Sequence, residues 1–281
     1  MRSKYLLILP LCIWLLFFMV LPYTFILAQS FLETDMFGTV LYNFNLNSYT
    51  KIFTSELYYS TLLRTFGFAI IVAVLSIILS LPLAYYIAFK AKKHKTLLYS
   101  IIVLPFWVSY IVRAYAWKII LGQTGILNSF LISIGLIDAP LEFLLYSDFA
   151  TIVCLVYILT PFVAIPIYTS LEQIPKNLIE ASKDLGANSW VTFCKVIFPL
   201  GLPGIISGGT FALVLTMGDF LAAFLLGGPQ TLLISNIITN LFGTSNDRPL
   251  GSAVGIVILV LILILLEISG KFEKKYSTFK S

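Results

Sequence analysis

One carboxylate stands in an apolar part of the sequence, where a charge is costly. Asp219 follows the run "IISGGTFALVLTMG" and precedes "FLAAFLLGGP". A carboxylate at membrane depth is expensive and usually faces a cavity or an opposite charge, so Asp219 could be a negative group on the path of a cation. The alternative is that Asp219, which comes 20 residues after Pro199, lies at the outer end of a span and is satisfied by water or by a helix cap.

Aromatic and cationic residues cluster in a second segment, "LPFWVSYIVRAYAWKIIL". Trp107 and Tyr110 carry aromatic faces of the kind that attract cations, and Arg113 could line the outer mouth of a pathway. The alternative for Arg113 and Lys118 is the membrane interface, where long cationic side chains reach water. We predict a substrate pathway containing Asp219, Trp107, Tyr110 and Arg113, with these alternatives open.

The residue patterns of catalysis and metal binding are absent from the sequence. It has no G-x-x-x-x-G-K-[ST] phosphate loop and no G-x-S-x-G or H-E-x-x-H motif. The three cysteines show no metal-ligand spacing, and the one histidine, His94, lies in the charged stretch "KAKKHKT", which is typical of a solvated loop. We therefore expect that the chain is not an enzyme, and that it binds no metal and no cofactor itself.

The elements that position these residues are helices in a membrane. Of the 281 residues, 59% are hydrophobic and 11% are charged, whereas soluble domains carry about 25% charged residues. A helix of about 20 apolar residues spans a bilayer. We predict an all-α membrane protein with a single transmembrane domain over residues 1–281. Its six spans are placed at about 5–29, 61–89, 97–121, 147–170, 196–225 and 250–268.

The distribution of basic residues predicts the orientation of the chain. Six spans place both termini on one side, and most of the 18 Lys and Arg residues fall on that side. The positive-inside rule then puts both termini in the cytoplasm, in a multi-pass protein surrounded by membrane lipid. The first apolar run follows Arg2 and Lys4 and is longer than the 7–15 residues or so of a signal peptide core, so we expect an uncleaved anchor. Because the basic residues are divided among short loops, we expect no nucleic-acid partner.

A polar insert, "EASKDLGANSWVTFCKVIFPLGLPG", interrupts the apolar runs between spans four and five. It belongs to a cytoplasmic loop predicted at about 172–195. Pro175 favours a helix start and Gly186 a helix end, which predicts a helix over Lys176–Leu185. At 100° per residue one face of this helix carries two leucines with two small residues between them: Leu178, Ala181, Ser182 and Leu185.

The small residues on that face would let another protein approach closely. The alternative is an amphipathic helix that rests on its own bundle or on lipid. Asn188 or Ser189 could cap a second short helix that runs towards Pro199. We expect the chain to enter the membrane again after Lys195.

The insert resembles the EAA loop of ABC importer permeases, whose pattern is E-A-A, three residues, G, nine residues and I-x-L-P. Glu180, Ala181 and Gly186 match this pattern, and Val196–Pro199 stands at I-x-L-P. Ser182 replaces the second alanine, a conservative departure. Several other segments resemble the spermidine/putrescine (PotB-type) permease family: "NLNSYTKIF", "LPFWVSYIVRAYAWKIIL", "VYILTPFVAIPIYTSLEQI" and "LGGPQTLLISNII".

The resemblance implies a type I ABC importer (MetI-like) fold in a bacterial inner membrane, with a cytoplasmic coupling helix between helices four and five. It implies a homologous second permease subunit, a dimeric ABC ATPase that holds ATP and Mg, and an extracytoplasmic polyamine-binding protein. Carried over by position, the residues at the ATPase contact would be Glu180, Ala181, Ser182, Asp184, Leu185 and Gly186.

The resulting hypothesis is a permease subunit that takes up polyamines and is driven by a partner ATPase. One alternative is the same machinery with another small solute. A second is a stand-alone secondary carrier or a membrane-embedded enzyme. Inverted repeats are typical of many secondary carriers, and the sequence shows no convincing repeat.

Overall fold

A computed structural model describes residues 10–11, 13–35, 38–91 and 93–277. The start of the predicted first span, with Arg2 and Lys4, lies outside these residues. The described elements, in chain order, are α1 Ile13–Gln29, β1 Glu33–Thr34, β2 Val40–Leu41, α2 Asn47–Thr54, α3 Glu56–Phe89, α4 Lys95–Trp107, α5 Tyr110–Leu121, α6 Ile126–Ser133, α7 Asp148–Glu172, α8 Lys176–Asp184, α9 Ser189–Gly218, α10 Leu221–Leu226, α11 Ile234–Phe242 and α12 Arg248–Ser277.

The predicted all-α membrane fold is confirmed. Four described helices, α3, α7, α9 and α12, are long and apolar enough to cross a membrane. The pair formed by α4 and the segment that starts with α5 passes the same test as one broken span. The described part of α1 is shorter, so a count of six spans stays a prediction, as does the single domain over the whole chain.

The span predicted as one helix over 97–121 is broken. The angle between α4 and the segment Tyr110–Ser133, which starts with α5, is 94°. The last turn of α4 is a 3-10 turn that contains Pro105, and Val108 and Ser109 then adopt extended backbone angles (ψ 133° and 141°). Lipid does not satisfy irregular backbone, so such a break is tolerated where it is buried in protein or lines a cavity.

The fifth predicted span, 196–225, is shifted towards the N-terminus. Helix α9 already begins at Ser189, passes through a π-helical turn at Phe193–Ile197 and ends at Gly218. Asp219 follows with an extended backbone, and α10 starts two residues later. The expected second short helix is therefore continuous with the rest of α9, and Lys195 lies within this helix.

Residue contacts group the chain into two compact units, and the larger one comprises Leu63–Leu233 and Ile262–Ser281. Its centre is the contact between α7 and α9. A Cβ atom on Gly204 would lie 2.5 Å from the Pro166 carbonyl oxygen, and one on Gly208 would lie 2.9 Å from that of Val163. Small residues thus allow the two helix backbones to approach closely, as is common between membrane helices.

The smaller unit comprises Met1–Leu62 and Ile234–Leu261. Within it β1 and β2 pair antiparallel, with Glu33 opposite Leu41. The Thr34 hydroxyl donates to Asp247 at 3.0 Å. This contact fixes the short β-hairpin to the residue that precedes α12.

Candidate functional site

A cavity of about 640 Å³ lies in the larger unit, beside the break between α4 and α5. This volume is within the usual range for small-molecule sites, about 300–1,000 Å³. All four residues of the predicted substrate pathway line it, although they come from two distant parts of the sequence. The lining residues are Phe106, Trp107, Val108, Ser109, Tyr110, Arg113, Leu155, Ile158, Leu159, Phe162, Leu215 and Asp219.

Asp219 is half-buried at the wall of this cavity. The Tyr110 hydroxyl donates to its Oδ2 atom, and the Ala222 backbone N–H donates to Oδ1 at 2.9 Å. The second contact caps the first turn of α10. Asp219 thus combines the two alternatives drawn from the sequence, because it lies at a helix end and also lines a cavity.

Arg113 is buried, with 8% of its surface exposed. Its guanidinium lies over the Tyr110 ring, 5.9 Å from the ring centroid. The Nε and Nη1 atoms are buried and have no hydrogen-bond partner among the described residues. Such burial differs from the alternative of an interfacial side chain that reaches water. Lys118, on the same helix, contacts the ring of Tyr146 instead, at 5.5 Å.

Aromatic rings form much of the remaining cavity wall. Trp107 is 89% exposed at the end of α4, and Phe106 packs edge-to-face on Phe162 with centroids 4.6 Å apart. The sequence reasoning missed Phe106, Phe162 and Leu215. Only Pro105 marks the backbone break that brings this part of the chain to the cavity.

The predicted coupling helix is present as α8, Lys176–Asp184, within one residue of its expected end. Pro175 precedes its first turn, and Gly186 follows with φ +82°, in the left-handed region that glycine tolerates best. The Gly186 N–H donates to the Lys183 carbonyl at 2.8 Å, and the Ala187 N–H to that of Ser182 at 3.1 Å. These two bonds form a Schellman turn, which satisfies the last carbonyls of the helix.

The face of α8 that carries the small residues opens into a groove of about 600 Å³. Its lining residues are Leu178, Ala181, Ser182, Leu185, Gly186, Ala187, Asn188, Val191, Lys195 and Val196. Four of the six predicted contact residues are among them. Glu180 and Asp184 are exposed and lie outside the groove. Leu185 is 89% exposed, so the groove has an apolar edge that is open to a partner.

Helix α8 is tied directly to the start of α9. The hydroxyls of Ser182 and Thr192 are 3.1 Å apart. Asn188 accepts a hydrogen bond from the Val191 N–H at 2.8 Å, which confirms the predicted cap. Phe193 stacks on the exposed Trp190 at 5.9 Å. These contacts connect α8 directly to α9, the helix that ends at Gly218, immediately before Asp219.

Comparison with known proteins identifies the family. Residues 80–277 match the family model "Binding-protein-dependent transport system inner membrane component". This chain belongs to that family. It is also 38% identical over 261 residues to the spermidine/putrescine transport system permease protein PotB of Haemophilus influenzae, covering 93% of this chain and 91% of the relative.

Solved structures of ABC transporters share the fold of this permease. A chain of a bacterial alginate ABC transporter, in complex with an alginate pentasaccharide-bound periplasmic protein, matches with a TM-score of 0.78 and 19% identity, over 98% of this chain and 95% of that one. A chain of the MetNI methionine ABC transporter, in inward-facing conformations, matches with a TM-score of 0.59 and 19% identity, over 79% and 99%. The predicted type I permease fold is thereby confirmed.

Proposed function

We propose that this permease takes up polyamines such as spermidine and putrescine, and that a separate ATPase subunit supplies the energy. The observation that carries the substrate class is the cavity beside the α4–α5 break, where the Asp219 carboxylate stands among aromatic side chains. An ammonium group is attracted both by a carboxylate and by aromatic faces. The similarity to PotB, whose name gives spermidine and putrescine, supports the same class.

Replacing Asp219 by Asn tests this assignment. Asn keeps an oxygen for the Ala222 N–H and places an amide N–H beside the Tyr110 oxygen, which can accept it, but it removes the negative charge. A hydrogen bond to a charged group contributes about 1.5–3 kcal/mol, so uptake of labelled spermidine at low concentration should fall about 10- to 100-fold, with normal assembly. Glu142→Gln, which removes an exposed acid outside the cavity, is the matched control. Wild-type uptake by Asp219→Asn would return this residue to a capping role.

The coupling part of the proposal places a dimeric ABC ATPase, with its ATP and Mg²⁺, on the groove beside α8. The exposed leucine, the small residues and the direct link to α9 support it. Glu180 and Asp184 would contact the ATPase from the rim of this surface. In this location α8 would be cytoplasmic, and with six spans both termini would also be cytoplasmic, in the orientation that the basic residues favour.

Ala181→Trp tests the docking surface. The indole would fill part of the groove, so the ATPase should no longer co-purify with the permease, and ATP-driven uptake should be lost. Lys183→Trp introduces the same side chain at an exposed position that does not line the groove, and it should retain both properties. Retention of ATPase binding and uptake by Ala181→Trp would place the ATPase elsewhere.

The complete system would also contain a homologous second permease subunit and an extracytoplasmic polyamine-binding protein. In that arrangement the binding protein delivers the solute to the outer side of the cavity, and the ATPase acts from the opposite side. The chain itself would contribute the pathway and the transmission of movement from α8 to α9, and no catalytic group.

A further inference from the structure

A buried guanidinium lines the cavity, and part of it lacks a hydrogen-bond acceptor. Arg113 is more than nine-tenths buried, it lines the cavity, and two of its guanidinium nitrogens have no acceptor among the described residues. Arginine stays protonated in proteins. Burying a guanidinium without a partner is strongly unfavourable, so an acceptor other than the described residues is expected at this position.

A second positive feature faces the same cavity. Helix α5 has 12 residues and begins at Tyr110, and its N-cap residue, Ser109, makes no side-chain capping bond. The first four N–H groups of a helix lack partners within the helix, and the helix dipole is positive at this end. Ser109 and Tyr110 both line the cavity, so this helix terminus and Arg113 act on the same space.

The acid in the cavity does not neutralise Arg113. Asp219 is the only acidic residue among those that line it, and it is held by the Tyr110 hydroxyl and the Ala222 N–H. None of the ion pairs found among the described residues involves Arg113. The cavity is thus lined by one cationic and one anionic side chain, Arg113 and Asp219.

We propose that Arg113 and the N-terminus of α5, which line the cavity together, bind a small inorganic anion of the chloride type. Backbone N–H groups at a helix start together with a guanidinium are a suitable donor set for an anion. A monovalent ion fits best, because Asp219 in the same cavity repels additional negative charge.

The bound anion would prepare the cavity for a cationic solute. Without it, the guanidinium opposes any ammonium group that enters. With it, the positive charge is compensated, and Asp219 gives the cavity a net negative charge. The anion site would thus act as a specificity determinant for cations. Binding of the anion to this site does not require that the transported solute be a polyamine.

The site is tested on the assembled complex in nanodiscs, in the absence of any transported solute. Chloride replaces gluconate stepwise at constant ionic strength, and the line width of the chloride NMR signal is measured. The wild-type complex should show a saturable broadening that Arg113→Gln loses completely, while Arg113→Lys, which keeps the charge, retains part of it. Lys118→Gln removes a cation from the same helix outside the cavity and should leave the broadening unchanged.

A second measurement needs no variant. Crystals of the wild-type complex in bromide should give an anomalous peak beside the Arg113 guanidinium. The proposal is wrong if wild-type broadening does not saturate, if Arg113→Gln retains it, or if no bromide peak lies at Arg113. Because no polyamine is present in either measurement, failure of the polyamine assignment leaves these results unaffected.

Discussion

The turn at Gly186 gives a sharp test of how α8 is coupled to the membrane helices. Gly186 has φ +82°, and a Cβ atom placed on it would meet no heavy atom within 4 Å. Gly186→Ala therefore introduces no steric clash, and any loss of stability comes from the backbone conformation alone. A residue with a Cβ atom in the left-handed region is disfavoured by about 1–2 kcal/mol.

A loss of 1–2 kcal/mol changes an equilibrium by a factor of about 5–30. The equilibrium here is between α8 with its Schellman turn formed and α8 released from it. If the ATPase recognises only the formed turn, ATP-driven uptake per complex should fall by up to this factor in Gly186→Ala. The loss of uptake should be smaller in Gly186→Asn, since asparagine tolerates the left-handed region better than alanine does.

The assay is uptake into liposomes together with co-purification of the ATPase. Gly67→Ala is the matched control, because its Cβ atom also meets nothing within 4 Å but its backbone is helical, in α3. That change should be neutral or stabilising by about 0.5–1 kcal/mol. Full uptake by Gly186→Ala, or an equal loss in Gly67→Ala, would refute the importance of the turn.

Two further predictions concern packing and surface charge. Gly208→Ala places a methyl group 2.9 Å from the Val163 carbonyl oxygen, so it should destabilise the α7–α9 contact by about 1–3 kcal/mol. The control is Gly255→Ala, where the new Cβ atom meets nothing within 4 Å. Equal thermal unfolding midpoints for the two variants would contradict this prediction. Lys95→Ala removes a 2.5 Å ion pair with Glu172, and the side chains of Lys95 and Glu172 are 35% and 45% exposed. The free energy of unfolding should therefore change by less than about 1 kcal/mol. A larger measured change would show that this pair is structurally essential.

The sequence was most informative where local backbone chemistry decides the structure. Pro175 and Gly186 predicted the limits of α8 to within one residue of its observed end. The helix start at proline and the helix end at glycine are both decided within a single helical turn. The cap at Asn188 followed from the same kind of reasoning. The role of Ser189 as the start of the whole fifth span was missed, since nothing in "WVTFCKVIFP" shows that the helix continues without interruption.

The cavity depends on tertiary structure and was only partly foreseen. Asp219 and Tyr110 were chosen from the sequence, but their hydrogen bond joins residues 109 positions apart. The break after Trp107 was not predicted, because the apolar composition continues through it and a proline can either kink a helix or fit its first turn. The burial of Arg113 follows from that break, which turns α5 towards the cavity.

We expect this permease to move polyamines at the expense of ATP that a partner subunit hydrolyses. The most direct measurement is uptake of labelled spermidine by the complete complex, with its binding protein, in liposomes. We predict uptake that requires ATP, the ATPase and this chain together, and that unlabelled putrescine reduces. Uptake by this chain alone without ATP, or no spermidine uptake by a complex that transports another solute, would contradict the claim.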